Sequence, residues 1–209
     1  MLFLCALLAM TTQVFAGEPD TQRFKLVKQD DILSLYERWI PGKKGEKIRE
    51  LKAVFQVRTD ISSIVSLLRD PTQAKSWNSG VLSCAIQPSP SPAQWLNYVT
   101  YDIPWPFDNQ DCLLSYHLNA ATAAGDGSAE ISFHSVVDKR FPVPDGFDRI
   151  SGVQGKWMLT AEEGDRVKIT YLISTDRSKQ IPRWISDPVI HRNVFNTMTA
   201  FKQLLEKRS

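Results

Sequence analysis

At 209 residues, 43% hydrophobic and 23% charged, the chain has an ordinary globular composition. A chain of this length can bury about 70% of its unfolded surface in one core. Its 25 Lys and Arg against 23 Asp and Glu leave a formal net charge of +2, with no long run of like charge, which excludes the electrostatic footprint of a nucleic-acid binder.

The first residues differ in kind. Leu2 to Met10 is almost wholly apolar and leads to Val14-Phe15-Ala16, a small-residue pattern that fits a secretory cleavage site after Ala16. The apolar stretch is too short to span a bilayer. Residues 1–16 are therefore expected to be a signal peptide and 17–209 one domain, exported to a periplasmic or extracellular space. Cys84 and Cys112 remain in the mature chain. Each falls in its own expected strand with another strand between, about 10 Å apart and beyond disulfide reach, so two buried free thiols are expected.

Phe24 to Lys28 and Ile32 to Trp39 read as short strands around a polar turn, and Pro41-Gly42-Lys43-Lys44-Gly45 as a second turn. Ile48 to Val57 alternates, with Leu51, Ala53, Phe55 and Val57 on one side. Thr59-Asp60 caps a helix carrying Ile61, Ile64, Val65 and Leu68, and Asp70-Pro71 stops it and starts a short one to Trp77. Six candidate strands follow: 81–86, 94–103, 112–120, 130–137, 150–159 and 166–174. Pro/Ser, Pro-Trp-Pro, Gly-Asp-Gly, Pro-Asp-Gly and Glu-Gly-Asp segments separate them, and all are turn chemistry. In the last segment Trp184, Ile185, Val189, Phe195, Met198, Phe201 and Leu205 form an apolar helical stripe, with a kink or restart expected at Asp187-Pro188. Strands, a helix, a long antiparallel meander and a terminal helix imply an α+β architecture, one curved sheet gripping one long helix.

Catalytic patterns are sparse. His117, His134 and His191 have no metal-ligand spacing, and neither a nucleophile elbow nor a phosphate-binding glycine loop occurs. Cys112 and His134 fall on neighbouring expected strands, where a nucleophile–base pair competes with a buried structural thiol. Glu162 and Glu163 read as solvated turn carboxylates.

The order of elements, together with Pro104-Trp105-Pro106-Phe107-Asp108-Asn109-Gln110-Asp111 and Ile181-Pro182-Arg183-Trp184, resembles the START family of steroidogenic-acute-regulatory-related lipid transfer domains. Asp70 to Trp77 and Gly155-Lys156-Trp157 are weaker matches, and the likeness runs from about Lys25 to Lys207. The resemblance implies a helix-grip fold with an internal hydrophobic tunnel and the terminal helix as its lid. It implies a lipid or sterol-like ligand, transient contact with a membrane surface, no nucleic acid, no cofactor or metal, a monomer, and no enzymatic activity. The alternative is a cavity-based cyclase, dehydratase or hydrolase on a related helix-grip fold.

Aligned on the proline corner, Asn97, Val99 and Tyr101 face inward, as do Cys112, Leu114 and Tyr116 on the next strand and Tyr171 on the last, while Tyr98, Asp102, Asp111 and His117 face outward. Trp77, Asn78 and Trp157 join the expected ligand-binding set, and Trp184, Phe195 and Met198 join it from the lid. The polar members either hydrogen-bond one another or orient a ligand's polar end. Two departures bear on the ligand. Gln110 stands where the family usually has Arg, removing a cation near the corner. Ala74 and Asn78 occupy the places of the Arg and Asp that hold a choline-phosphate headgroup, which favours a neutral or less polar ligand.

Overall fold

The computed structural model describes residues 23–42, 45–89, 91–103, 105, 108–119, 127–175 and 183–208, with side chains in the last helix from 187 onward. The expected leader and its expected cut after Ala16, the corner residues Pro104, Pro106 and Phe107, and Ile181-Pro182 lie outside the described residues.

Strands β1 (Lys25–Gln29), β2 (Ser34–Pro41) and β3 (Lys47–Arg58) form an antiparallel ribbon. Asp60 then caps α1 (Ile61–Leu68), its carboxylate accepting from the Ser63 amide at 2.7 Å. Asp70 repeats the device for the 3-10 turn Pro71–Gln73, accepting from the Thr72 amide at 3.0 Å, and that turn runs into α2 (Ala74–Trp77). After these come β4 (Val81–Pro88), β5 (Gln94–Tyr101), β6 (Asn109–Asn119), β7 (Ser128–Ser135), β8 (Phe147–Arg149), β9 (Val153–Glu162), β10 (Arg166–Thr175) and α3 (Arg183–Glu206).

The sheet order is β1-β2-β3-β10-β9-β7-β6-β5-β4. The meander from β4 to β10 thus turns back on β3, and the curved sheet holds α3 against its inner face. The expected α+β helix-grip architecture is the one observed. Alternation sorts the faces: Leu35 on β2, Leu51, Ala53, Phe55 and Val57 on β3, and Val167 and Ile169 on β10 meet Met198, Phe201 and Leu205 of α3 in one core. Gly155 on β9 is a required glycine, because a Cβ there would stand 2.1 Å from the Leu172 carbonyl oxygen and 2.5 Å from Cζ of Phe133.

Three sequence expectations need correction, and a fourth holds with a difference. Helix α3 neither restarts nor breaks at Asp187-Pro188 but runs unbroken with Pro188 inside it. Val189, expected on the buried stripe, is 41% exposed. Cys84 is half-buried rather than buried, although it and Cys112 are both free thiols. Asp111 does lie on the outer face of β6, yet it is fully buried.

The burial of Asp111 comes from an element with no alternation to reveal it. The chain leaves β7, crosses the outer face and returns as the three-residue β8, which pairs parallel with the start of β6. Arg149 on β8 clamps Asp111 with Nε at 2.6 Å and Nη2 at 2.8 Å; Nη2 also donates to the Phe141 carbonyl at 2.9 Å. The Tyr98 hydroxyl donates to the same carboxylate at 2.9 Å. The cation that Gln110 fails to supply near the corner therefore arrives from Arg149, 38 residues beyond Asp111.

Candidate functional site

Cross-strand register builds the site. Trp95 on β5 stands opposite Tyr116 on β6, Tyr116 opposite Phe133 on β7, and Phe133 opposite Gly155 on β9. The missing side chain at Gly155 lets the Phe133 ring reach Tyr171 on β10, which in turn pairs with Trp157 on β9. The result is a continuous belt of rings. Trp95–Tyr116, Tyr116–Phe133, Phe133–Tyr171 and Tyr171–Trp157 have centroids 5.0, 5.2, 5.9 and 4.4 Å apart. Phe201 of α3 closes on Trp157 at 4.9 Å and on Trp77 of α2 at 4.9 Å, so the belt passes from the sheet through the lid helix to the short helix.

The belt carries unused donors. The indole N–H groups of Trp77, Trp95 and Trp157 are buried and have no hydrogen-bond partner. A buried donor left unpaired costs on the order of 1–3 kcal/mol, so an acceptor brought in from outside is rewarded at these places.

Beside the belt lies a small polar group. The Cys84 thiol donates to Asn97 Oδ1 at 3.0 Å, and Asn78 Nδ2 donates to the Tyr101 hydroxyl at 3.4 Å. Burial in this apolar setting pushes the Tyr101 hydroxyl up to about 12, the Cys112 thiol up to about 12 and the Cys84 thiol up to about 11. Desolvation also raises Tyr116 and Tyr171 well above the usual phenol range. At neutral pH all five are neutral hydrogen-bonding groups, none poised as a base or thiolate nucleophile.

Of the thirteen residues expected from the sequence to bind ligand, the structure places Trp77, Tyr116, Trp157 and Tyr171 in the belt. Asn78, Asn97 and Tyr101 belong to the polar group, and Val99 and Cys112 pair across β5 and β6 beside it, with Leu114 buried next along. Met198 is buried in the core, and Phe195 is buried with the Lys28 ammonium of β1 lying 3.9 Å from its ring centroid. The Trp184 side chain lies outside the described residues. Cys112 and His134 do not meet. Cys112 faces inward, whereas His134 is exposed on β7 opposite Ser115, whose side chain points to the other face of β6.

Sequence reasoning passed over Trp95, Phe133 and Phe201 as site residues, although each lies at an inward position of the alternation or of the helical stripe. It also passed over a charged cluster where α3 crosses β2 and β3. There Arg49 pairs with Asp187, and Glu37 receives His191 Nε2 at 2.9 Å. One further period in each pattern finds it: Arg49 is two residues before Leu51, Glu37 two after Leu35, and Asp187 and His191 are four apart below Phe195. Among the described residues no group of His, Cys, Asp and Glu is arranged to hold a metal, and no helix is long and apolar enough to cross a membrane.

No family model matches the chain. An uncharacterised protein of Pseudomonas aeruginosa is 23% identical over 194 residues, covering 92% of this chain and 92% of that one. Among solved structures, a STAR-related lipid transfer protein from Xanthomonas axonopodis is similar with a TM-score of 0.74 at 24% identity, over 87% of this chain and 98% of that one. The Zhui aromatase/cyclase from Streptomyces sp. R1128 is similar with a TM-score of 0.57 at 13% identity, over 77% and 95%. The chain has the START helix-grip fold, which a lipid transfer protein and a cyclase both use.

Proposed function

We propose that this protein binds one lipid or sterol-like hydrophobic molecule between the aromatic belt and helix α3, and shields or transfers it between membranes without chemical change. The observation that carries this reading is the belt itself: seven rings in unbroken contact, three of them presenting buried indole donors without partners. Such a surface offers apolar area, worth about 25 cal/mol per Å² buried, with a few polar points to orient the guest. The likeness to a lipid transfer protein supports the same use of the fold.

In this reading residues 1–16 are a signal peptide cleaved after Ala16, and 17–209 act as a monomer in a periplasmic or extracellular space. Helix α3 is the lid, opening at a membrane surface, and no metal or covalent cofactor takes part. The ligand-binding residues are those of the belt and its polar neighbours, with Trp184 and Met198 contributing from the lid. A cavity-based enzyme is the second reading, favoured by the likeness to an aromatase/cyclase.

Native mass spectrometry of protein purified from its own envelope without detergent, followed by organic extraction, tests the proposal. A stoichiometric extractable lipid or sterol-like mass is expected. An empty protein that also fails to take up fluorescent lipids or sterols overturns it, and a recovered molecule converted on incubation points to the enzyme.

A further inference from the structure

The inner face of the molecule changes character along α3. The stripe that Phe201, Met198 and Phe195 carry inward continues at helical spacing to His191 and Asp187. On the sheet opposite, the face of Leu35 and Leu51 continues to Glu37 and Arg49. One end of the interior is therefore apolar and aromatic, and the other is charged.

The unused hydrogen-bonding capacity at the charged end sits on Arg49. Its side chain is 9% exposed, and its Nη2 donates to Asp187 Oδ1. Nε and Nη1 are buried and have no hydrogen-bond partner. Nε lies 3.7 Å from the Glu37 carboxylate, close enough for attraction but too far for a hydrogen bond. The Trp39 ring beneath, 5.1 Å from Cζ, gives the guanidinium a flat support. A guanidinium keeps its proton at any ordinary pH and presents its N–H groups as a planar fork, so what it lacks here is a second set of acceptor oxygens.

We propose that Arg49 receives the acidic head of the bound molecule, a carboxylate or phosphate monoester on a long apolar tail, and that Asp187 occupies the guanidinium until that head arrives. This rests on the reading that the belt takes a hydrophobic ligand, and it names the polar end of that ligand. Asp187 already accepts from Nη2, so the entering anion competes with Asp187 for that donor rather than adding to it. The head then lies under the first half of α3, and the tail runs toward the apolar end of the interior. The choice of an acidic head replaces the neutral ligand expected from Ala74 and Asn78, since the donor set lies on β3 rather than beside α2.

The test titrates the full-length protein, slightly above neutral pH, with a long-chain carboxylic acid, its methyl ester and a long-chain phosphate monoester. Each is read by displacement of a neutral fluorescent lipid, and acetate and inorganic phosphate serve as tailless controls. The acid and the phosphate monoester are expected to bind roughly tenfold or more tighter than the ester. Asp187→Asn should tighten both anionic ligands and leave the ester alone. The pair Arg49→Gln with Asp187→Asn, which removes the carboxylate bonded to Arg49 together with the cation and leaves Glu37 its contact with His191, should bring the acid to the level of the ester. An unchanged ester affinity in that pair shows that the variant has folded. Equal binding of acid and ester by the unsubstituted protein overturns the assignment to Arg49 and leaves the hydrophobic-ligand reading standing. Binding of none of the long-chain probes overturns both. Arg49-dependent binding of acetate or phosphate as tight as that of the tailed acids overturns the lipid assignment in favour of a free-anion site.

Discussion

Removing the Asp111 carboxylate leaves the Arg149 guanidinium held against the Phe141 carbonyl with its countercharge gone. Arg149 is itself only 14% exposed, so water cannot take the carboxylate's place. Asp111→Ala should therefore cost about 3–5 kcal/mol in a urea unfolding experiment. Replacing both partners together, Asp111→Leu with Arg149→Met, should recover most of that loss, because the desolvation of two charges goes with them. A single substitution that costs no more than a surface change would mean that the clamp contributes nothing. Alternation correctly placed Asp111 on the outer face but could not show that the face is covered. The covering residues, Phe141 and Arg149, come from a stretch of turn chemistry with no periodicity of its own. Arg49 escaped notice for a different reason: a charged side chain at the end of an apolar alternation is ordinarily where a strand leaves the core, and only the helix crossing above it shows otherwise.

At the level of elements, the strands were readable because each is bounded by Pro, Gly or Asp and because one face of each is apolar. Strand β8 was not, since three residues paired in parallel leave no period to detect. The helix stripe was readable from Phe195 to Leu205 and misread at Val189. Val189 is exposed, and the positions turned toward β2 and β3 are the half-buried, polar Asp187 and His191. Strand β9 carries the sharpest test of the belt. Gly155→Ala places a methyl group against the Leu172 backbone carbonyl, which cannot rotate away, and against the ring of Phe133. The β9–β10 pairing must shift or Phe133 must leave the belt, at a cost of about 1–3 kcal/mol or more. A cooperative melt at a clearly lower temperature, with reduced uptake of a fluorescent lipid, is the expected result. A melting temperature unchanged from that of the unsubstituted protein would remove the close approach from the account.

The whole molecule concentrates neutral, protonated thiols and phenols in its interior, and this sets its response to alkali. In the unfolded chain the thiols titrate near 9.0 and the phenols near 10.0, whereas in the fold Cys84 rises to about 11 and Cys112 and Tyr101 to about 12. Each group keeps its proton longer in the native state than in the unfolded one. The stability they contribute is therefore complete below about pH 9 and is lost progressively as pH climbs through 10 toward 12. The urea midpoint should hold steady near neutrality, then fall continuously from about pH 9 to about pH 11, with phenolate absorbance appearing only as the protein unfolds. A midpoint indifferent to pH over that range, or phenolate absorbance preceding unfolding, would show that these hydroxyls are not shut away from water.

The seam between β3 and β10 also governs how the chain reaches this state. It joins residues about a hundred positions apart, such as Arg58 and Arg166, while the meander strands on its far side mostly pair with near neighbours in sequence. Closing a loop of that size costs entropy before any of the contacts it brings are made. Until β10 has been synthesised and paired, the first three strands have only one another, and the inner face that meets α3 is incomplete. Helix α3 is made after β10, the strand that closes the sheet it grips. Folding should accordingly be slow and late, with the N-terminal ribbon waiting, its β3 edge open, until β10 has been made.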